Sequence, residues 1–164
     1  MILGKYQFCR NRQERGYSIT AIVQNEDGNL FFVKWIKGIE QNSQAGKILF
    51  DKLRNIKKAQ HKSLAKIVEY DWDTSENAYC IVFEYIDAKT LENEFRNLKP
   101  AHFIKGIENA VSCLKELQQN HRITHADLNP ANILVDENFD FYLIDFGIAD
   151  ICTTLSQEQE LEIF

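Results

Sequence analysis

The sequence has little proline, glycine or cysteine and no long hydrophobic run. Two prolines and seven glycines in 164 residues exclude collagen-like and proline-rich linker proteins. Four scattered cysteines lack metal-ligand spacing, so we expect reduced thiols. The 19 basic residues are outnumbered by 24 acidic ones, which argues against a nucleic-acid partner. Apolar runs are too short to span a bilayer and no signal peptide is visible, so we expect a cytoplasmic protein without a membrane partner.

Apolar residues nevertheless make up 45% of the chain, enough for a sizeable core. Alternation and turn signals predict strands over 18–23, 30–36, 64–70 and 78–86, and helical spacing predicts a helix within 45–60. Pro100 opens a second helix, which places on one face Ile104, Ile107, Val111, Leu114 and Leu117. Two short strands are predicted at 133–135 and 141–144, and Ser156 is a candidate cap for a further helix over 156–164.

The segment 123–150 carries the most chemistry. Asp127 is followed five residues later by Asn132, and Asp145 comes thirteen residues after that. A hairpin between the two short strands would bring Asn132 close to Asp145. An amide oxygen beside a carboxylate is a hard-oxygen site suited to Mg²⁺ and phosphate. Asp127 would stand one short loop away, where it could accept a proton from an attacking hydroxyl.

This segment resembles the catalytic core of protein kinases. His125-Ala126-Asp127 is similar to the family's catalytic loop, and Asp145-Phe146-Gly147 matches its metal-binding motif. The run 31–35 resembles the strand that bears the ATP-binding lysine, and the run 82–86 resembles the hinge, with Phe83 as gatekeeper. The resemblance covers nearly all of residues 16–150 and implies an α+β, two-lobed fold. We expect a single kinase-like domain, with a β-rich small lobe with one helix over 1–84, then a hinge and a partial, mainly helical large lobe over 85–164.

The resemblance also implies a role for each matching residue. Asp127 would be the catalytic base, Lys34 would contact the phosphates of ATP, and Asn129 stands where the family has a catalytic lysine. Asn132 and Asp145 would hold Mg²⁺. The nucleotide would further be bound by residues of the glycine turn, the hinge and the pocket floor, namely Gly16, Glu84, Ile86 and Leu134, together with Asp145 at the metal.

The sequence departs from the family pattern in several places. Only Gly16 stands where a glycine-rich loop is expected, and the helix glutamate that should pair with Lys34 is not evident. Phe32 replaces a small residue and would crowd the adenine pocket. Asn129 cannot supply the positive charge of a lysine to the transferring phosphate. The chain ends 17 residues after Gly147, without the later helices of the large lobe.

We therefore expect an ATP- and Mg²⁺-dependent phosphotransferase that acts on a Ser/Thr hydroxyl of a protein. One alternative is a small-molecule or sugar kinase, which Asn129 and the missing helices favour. Another is a pseudokinase, or a binding module derived from a kinase, that acts through a partner subunit. An incomplete large lobe would expose apolar surface, so self-association or a partner that covers it is expected. Thr153, Thr154 and Ser156 lie where activation-loop phosphorylation occurs in the family.

Overall fold

The computed structural model describes residues 3–146, so Gly147, Cys152 and the helix predicted over 156–164 lie outside the described residues. The elements, in chain order, are β1 (Gln7–Arg15), β2 (Ser18–Gln24), β3 (Leu30–Ile36), α1 (Gln44–Lys58), β4 (Ile67–Asp73), β5 (Ala78–Glu84), β6 (Ala88–Thr90), α2 (Leu91–Glu94), α3 (Pro100–His121), β7 (Ile133–Asp136) and β8 (Phe141–Leu143). No helix among the described residues is long and apolar enough to cross a membrane.

The chain divides into two compact units. Of the described residues, the first comprises 3–53 and 66–85, and the second comprises 54–65 and 86–146. The first unit therefore ends at Tyr85, one residue later than the predicted small lobe, and residues 54–65 belong to the second unit. The predicted division at residue 84 into two lobes of one domain remains an interpretation of the resemblance.

The first unit is built on an antiparallel five-stranded sheet in the order β1-β2-β3-β5-β4. A tight turn joins β2 to β3, where Gly28 adopts a left-handed φ of 81° and donates its N–H to the carbonyl of Asn25. The predicted Asp-Gly hairpin is thus confirmed, because glycine adopts that backbone conformation without strain. One face of the sheet carries a buried cluster around Val33, Trp35 and Cys80.

Side chains from the two edge strands meet although β1 and β4 lie at opposite ends of the sheet order. Tyr6, just before β1, donates its hydroxyl to Glu69 of β4. Arg12 of β1 makes two hydrogen bonds to Glu76, at 2.8 and 3.0 Å, in the turn after β4. These contacts show that the sheet is strongly curled, since a flat sheet would hold its edges four strand spacings apart.

The opposite face of the sheet packs against α1 through aromatic rings. The ring of Phe50 lies 5.1 Å from that of Tyr70 and 5.4 Å from that of Tyr79, both edge-on. Trp72 packs edge-on against Tyr79 at 4.9 Å. Leu49 and Leu53 of α1 are buried as their helical spacing predicts. The face that carries Lys34 is thereby fixed relative to the helix.

The second unit combines α3 with a three-stranded sheet in the order β6-β7-β8. A Cβ built on Gly106 of α3 would lie only 2.5 Å from the ring of Phe141, so the helix backbone rests directly on β8. Leu64 forms a parallel bridge with Leu143, and the N–H of Ala65 donates to the carbonyl of Leu143 at 3.1 Å. Residues 63–65 therefore extend this second sheet.

Two sequence predictions differ from this fold. The strand predicted over 64–70 lies at Ile67–Asp73, because Leu64 and Ala65 pair with β8 instead. The apolar face predicted for the helix after Pro100 is largely not the buried one: Ile104 is 58% and Val111 is 41% exposed. The buried stripe of α3 is instead made mostly of small residues, Gly106, Ala110, Cys113 and Leu117. Close approach of α3 to β8 requires small side chains, which a search for large apolar residues does not detect.

The cysteines of the described residues are free thiols, as expected. Cys9 is exposed, whereas Cys80 and Cys113 are buried in the two separate units. Burial raises the pKa of the Cys113 thiol to about 12, so this side chain is an inert core residue rather than a nucleophile.

Candidate active site

The predicted catalytic residues of the second unit lie on one short loop and the hairpin that follows it. The loop runs from His125 to a single turn of 3-10 helix at Pro130–Asn132, which leads into β7. Asp127 is exposed, while Asn129 and Asn132 are half-buried. The loop therefore presents one accessible carboxylate beside two partly enclosed amides.

Both amides donate hydrogen bonds to Asp127. Nδ2 of Asn132 lies 3.0 Å from Oδ2 of Asp127 and 2.8 Å from its backbone carbonyl oxygen. Nδ2 of Asn129 lies 3.1 Å from Oδ1 and 3.2 Å from the same backbone oxygen. Each carboxylate oxygen thus has its own amide donor, and the side chain of Asp127 is held in one orientation.

Asn129 also shapes the turn that carries Asn132. Its Oδ1 accepts the backbone N–H of Ala131 at 2.9 Å, and its backbone carbonyl accepts the N–H of Asn132 at 3.0 Å. Asn129 is therefore the cap of the 3-10 turn, with Pro130 at the first position of the turn. Sequence reasoning compared Asn129 only with the family's lysine and missed this role, although an asparagine before a proline is a cap signal.

The hairpin brings Asn132 and Asp145 together as predicted. Strands β7 and β8 pair with Ile133 opposite Leu143. One residue further out, the backbone N–H of Ile144 donates to the carbonyl of Asn132 at 3.1 Å. Asn132 and the residue before Asp145 are thus joined through their backbones at the open end of the hairpin, and the Asp145 side chain is half-buried.

Two residues of the site adopt left-handed backbone conformations. Ala126 has a φ of 66° and Asp145 a φ of 64°. This conformation costs a non-glycine residue roughly 1–2 kcal/mol. Ala126 directly precedes the predicted base and Asp145 is the predicted metal ligand; six other described non-glycine residues also have a positive φ, so this conformation alone does not mark the site.

His125, at the start of the loop, packs against Phe146. It is buried, and its ring lies 4.4 Å from that of Phe146 at 52°. Burial lowers the pKa of His125, against the opposing effects of the Ile144 backbone and of the Asp145 and Asp127 carboxylates. A buried imidazole of lowered pKa is a neutral packing residue near neutral pH.

Two further residues predicted to bind the nucleotide, Leu134 and Ile86, lie in the second unit outside the loop and are half-buried. Leu134 pairs with Tyr142 across β7 and β8, on the half-exposed face of the small sheet, while its neighbours Ile133 and Val135 are buried. Ile86 is half-buried just before β6. Sequence reasoning did not identify Tyr142, whose hydroxyl donates to Oδ2 of Asp136 at 3.0 Å beside Leu134.

The first unit holds the other predicted nucleotide-binding residues. Lys34 is half-buried in the middle of β3, between Thr20 of β2 and Ile81 of β5. Gly16 lies in the exposed turn between β1 and β2, with a φ of 54°. The backbone N–H of Glu84 donates to the carbonyl of Lys66 at 3.0 Å, so this N–H is already paired within the first unit.

Phe32 shares a sheet face with Lys34. Phe32 lies directly opposite Phe83 in the register of β3 and β5, and the two rings are 6.2 Å apart. Since side chains alternate along a strand, residues 32 and 34 point to the same side. The rings of Phe32 and Phe83 therefore lie on the sheet face that carries Lys34, and crowding of the adenine pocket by Phe32 stays a prediction.

The donor set fits a magnesium ion better than a transition metal. The described residues contain no group of three or more His, Cys, Asp or Glu side chains that could hold a metal. The Asn132 amide and the Asp145 carboxylate offer two hard oxygens, and Mg²⁺ commonly takes one or two such ligands and completes its shell with water and phosphate.

The chain is similar in sequence to known proteins. A family model described as the protein kinase domain matches residues 16–162. The proline-rich receptor-like protein kinase PERK4 of Arabidopsis thaliana is 31% identical over 124 residues, which are 71% of this chain and 19% of that protein. The serine/threonine-protein kinase PrkC of Bacillus subtilis is 34% identical over 92 residues, 54% of this chain and 14% of that protein. The chain thus spans a fifth or less of the length of these two relatives.

The fold has a solved counterpart. The kinase domain of maize sucrose-induced receptor kinase 1, solved with AMP-PNP bound, is similar with a TM-score of 0.69 at 20% identity. The match covers 85% of this chain and 51% of that chain. It confirms the predicted fold class, a β-rich first part followed by a partial helical second part. On the sequence match and the arrangement of its catalytic loop, the chain belongs to the protein kinase family.

Proposed function

We propose that this chain binds ATP together with Mg²⁺ and transfers the γ-phosphate to a hydroxyl group, that of a serine or threonine in a protein substrate. The observation that carries the proposal is the fixed carboxylate of Asp127, held by the amides of Asn129 and Asn132. Phosphoryl transfer depends mainly on positioning and on charge neutralisation, so a preorganised acceptor for the hydroxyl proton is the central requirement on the protein.

Each residue has a defined part in this reaction. Asp127 orients the attacking hydroxyl and accepts its proton as the new oxygen–phosphorus bond forms, while the bond between the γ-phosphorus and the β–γ bridging oxygen breaks and ADP leaves. Lys34 contacts the phosphates of the nucleotide. Asn132 and Asp145 hold Mg²⁺, which when bound neutralises charge on the phosphate oxygens. The exposure of Asp127 supports access by a hydroxyl group of a second molecule.

A phosphotransfer assay tests this function. The chain is incubated with Mg²⁺ and γ-labelled ATP, with casein-like Ser/Thr proteins in one arm and small hydroxyl compounds such as sugars in the other. We expect transfer to protein that falls at least about 100-fold in Asp127→Asn, since the general base is lost. Unchanged transfer in that variant would contradict the proposal.

A small-molecule kinase is the second enzymatic candidate. The neutral side chain of Asn129, which turns inward to Asp127 and Ala131, supports it, because peptide-directed kinases carry a lysine there by resemblance. Labelled product in the small-molecule arm alone would favour this candidate.

A binding module without catalysis is the third candidate. The paired rings of Phe32 and Phe83 support it, since they stand beside Lys34 where an adenine ring needs room. Whether or not the chain is catalytic, the exposed apolar side chains of Ile104 and Val111 on α3 support a protein partner or self-association. Absence of ATP binding together with dimerisation in light scattering would favour this candidate.

A further inference from the structure

The hydrogen bonds of the catalytic loop assign a specific task to Asn129. We propose that Asn129 is a positioning residue that orients the carboxylate of Asp127, and that it takes this task instead of contacting the transferred phosphate. The inference rests on the proposed phosphotransfer function, because it concerns how the base of that reaction is held.

The side chain of Asn129 is fully occupied within the loop. An asparagine amide offers two N–H donors and one carbonyl oxygen. The Nδ2 donors go to Oδ1 and to the backbone oxygen of Asp127, at 3.1 and 3.2 Å. Oδ1 takes the N–H of Ala131 at 2.9 Å. Neither N–H remains for a phosphate oxygen unless the loop first gives up its contacts with Asp127.

Asn129 and Asn132 act on Asp127 as a pair. Asn132 donates to Oδ2 at 3.0 Å, and Asn129 donates to Oδ1 at 3.1 Å, so rotation of the carboxylate breaks both bonds. Asp127 is exposed and would otherwise sample several rotamers. The loop from 125 to 132 contains no lysine or arginine. The carboxylate of Asp127 is therefore oriented by two neutral amides and not by a cation of this loop.

One substitution at Asn129 can remove the contact with Asp127 and still keep the cap of the 3-10 turn. In Asn129→Asp, a carboxylate oxygen can still accept the N–H of Ala131, which preserves the cap. The same change removes the donor to Asp127 and sets a like charge beside it. The control variant is Asn138→Asp, which makes the same chemical change at an exposed position in the turn between β7 and β8.

The experiment measures kcat and the KM for ATP in the wild type, Asn129→Asp, Asn138→Asp, Asp127→Asn and the double variant of Asp127→Asn with Asn129→Asp. We expect Asn129→Asp to lower kcat by about 10–100-fold with the KM for ATP within about two-fold, since misplacement of a catalytic group acts on the chemical step. In the Asp127→Asn background the same change should alter kcat less than about three-fold, because its effect passes through Asp127.

Thermal unfolding tests the contact without any activity. Asn129→Asp should lower Tm by about 2–4 °C, and the double variant should regain most of that loss, because it restores an amide–carboxylate pair with the two groups exchanged. Failure of the exchange to restore Tm would overturn the proposed contact. If the wild type transfers no phosphate to any acceptor, the proposed function is wrong, and the Tm cycle alone decides whether Asn129 holds Asp127.

Two kinetic results would also overturn the proposal. A several-fold rise in the KM for ATP with kcat preserved would show that Asn129 contacts the nucleotide. Equal behaviour of Asn129→Asp and Asn138→Asp would show that the cap is the whole role of Asn129.

Discussion

The indole Nε1 of Trp35 donates a 2.8 Å hydrogen bond to Oδ2 of Asp73, and both residues are buried. The other carboxylate oxygen, Oδ1, accepts the backbone N–H of Ser75 at 2.9 Å and its hydroxyl at 2.6 Å. Asp73 is therefore a buried carboxylate with a donor for each oxygen. It ties β3, the strand that carries Lys34, to the turn that joins β4 and β5.

We predict that Asp73→Asn destabilises the protein by about 1–3 kcal/mol, because one N–H donor of the amide must face another donor in a buried site. Urea unfolding monitored by tryptophan fluorescence measures the loss. The control is Asp71→Asn on the same strand, where the side chain is exposed and the expected change is within about 0.5 kcal/mol. Equal effects of the two variants would contradict the assigned role of Asp73.

The contact of α3 with β8 makes a second prediction. A Cβ at Gly106 would lie 2.5 Å from two ring atoms of the fully buried Phe141. We expect Gly106→Ala to lower the free energy of unfolding by about 1–3 kcal/mol despite the better helix propensity of alanine. Ser112→Ala, at an exposed position of the same helix, should be neutral or slightly stabilising.

A compensating change makes this prediction stricter. Phe141→Leu in the Gly106→Ala background should recover part of the lost stability, since it removes the ring that the new methyl group meets. Purely additive losses in the double variant would indicate that the two residues do not meet.

The buried imidazole of His125 predicts a pH dependence of stability. Burial lowers its pKa in the folded protein, so the unfolded chain takes up the proton at a higher pH than the folded one. The free energy of unfolding should therefore fall as the pH drops below about 6.5, the usual pKa of histidine, and level off once the folded form is also protonated.

Chemical unfolding from pH 8 to pH 5 in EDTA checks this sign. His125→Leu should flatten the fall between pH 7 and pH 5, whereas His121→Gln at the end of α3 should leave it unchanged. A wild-type stability that rises toward pH 5, or a curve that His125→Leu does not flatten, would contradict the assigned state of His125.

The position of the Phe32 ring leads us to expect that its removal improves ATP binding. Phe32→Ala should tighten ATP binding several-fold, because it frees the sheet face on which Lys34 lies. Phe31→Ala is the matched control, since Phe31 points to the other face and packs edge-on against Tyr6 at 5.2 Å. Isothermal titration with ATP and Mg²⁺ compares the Kd of each variant with that of the wild type, and only Phe32→Ala should bind more tightly. Weaker binding in Phe32→Ala would mean that the ring supports the nucleotide instead of excluding it.

The hairpin that follows the loop was predictable because its pattern is local in sequence. The spacing of Asp127, Asn132 and Asp145, together with two short apolar runs, was enough to predict the hairpin that joins Asn132 to Ile144. The hairpin of β2 and β3 was equally clear, because Asn25 and Gly28 form the turn that the sequence indicates.

Other parts depended on tertiary contacts that no local pattern records. Strand β1, all of it exposed, has no apolar alternation, and it exists because it pairs with β2 and reaches Glu76 through Arg12. The buried stripe of α3 consists mostly of small residues because Phe141 fills the space above Gly106. The capping role of Asn129 was missed because the residue was compared with a family position rather than with its own neighbour, Pro130.

The most direct test of the account is a calorimetric titration of the chain with ATP, with and without Mg²⁺, in the wild type and in Asp145→Ala. Asp140→Ala, in the turn after β7, is the matched control. We expect binding that requires Mg²⁺, survives in Asp140→Ala and is lost in Asp145→Ala, because Asp145 and Asn132 supply the oxygen ligands. Binding that does not depend on Mg²⁺ or on Asp145, or no binding at millimolar ATP, would contradict the proposal that this chain is a magnesium-dependent kinase.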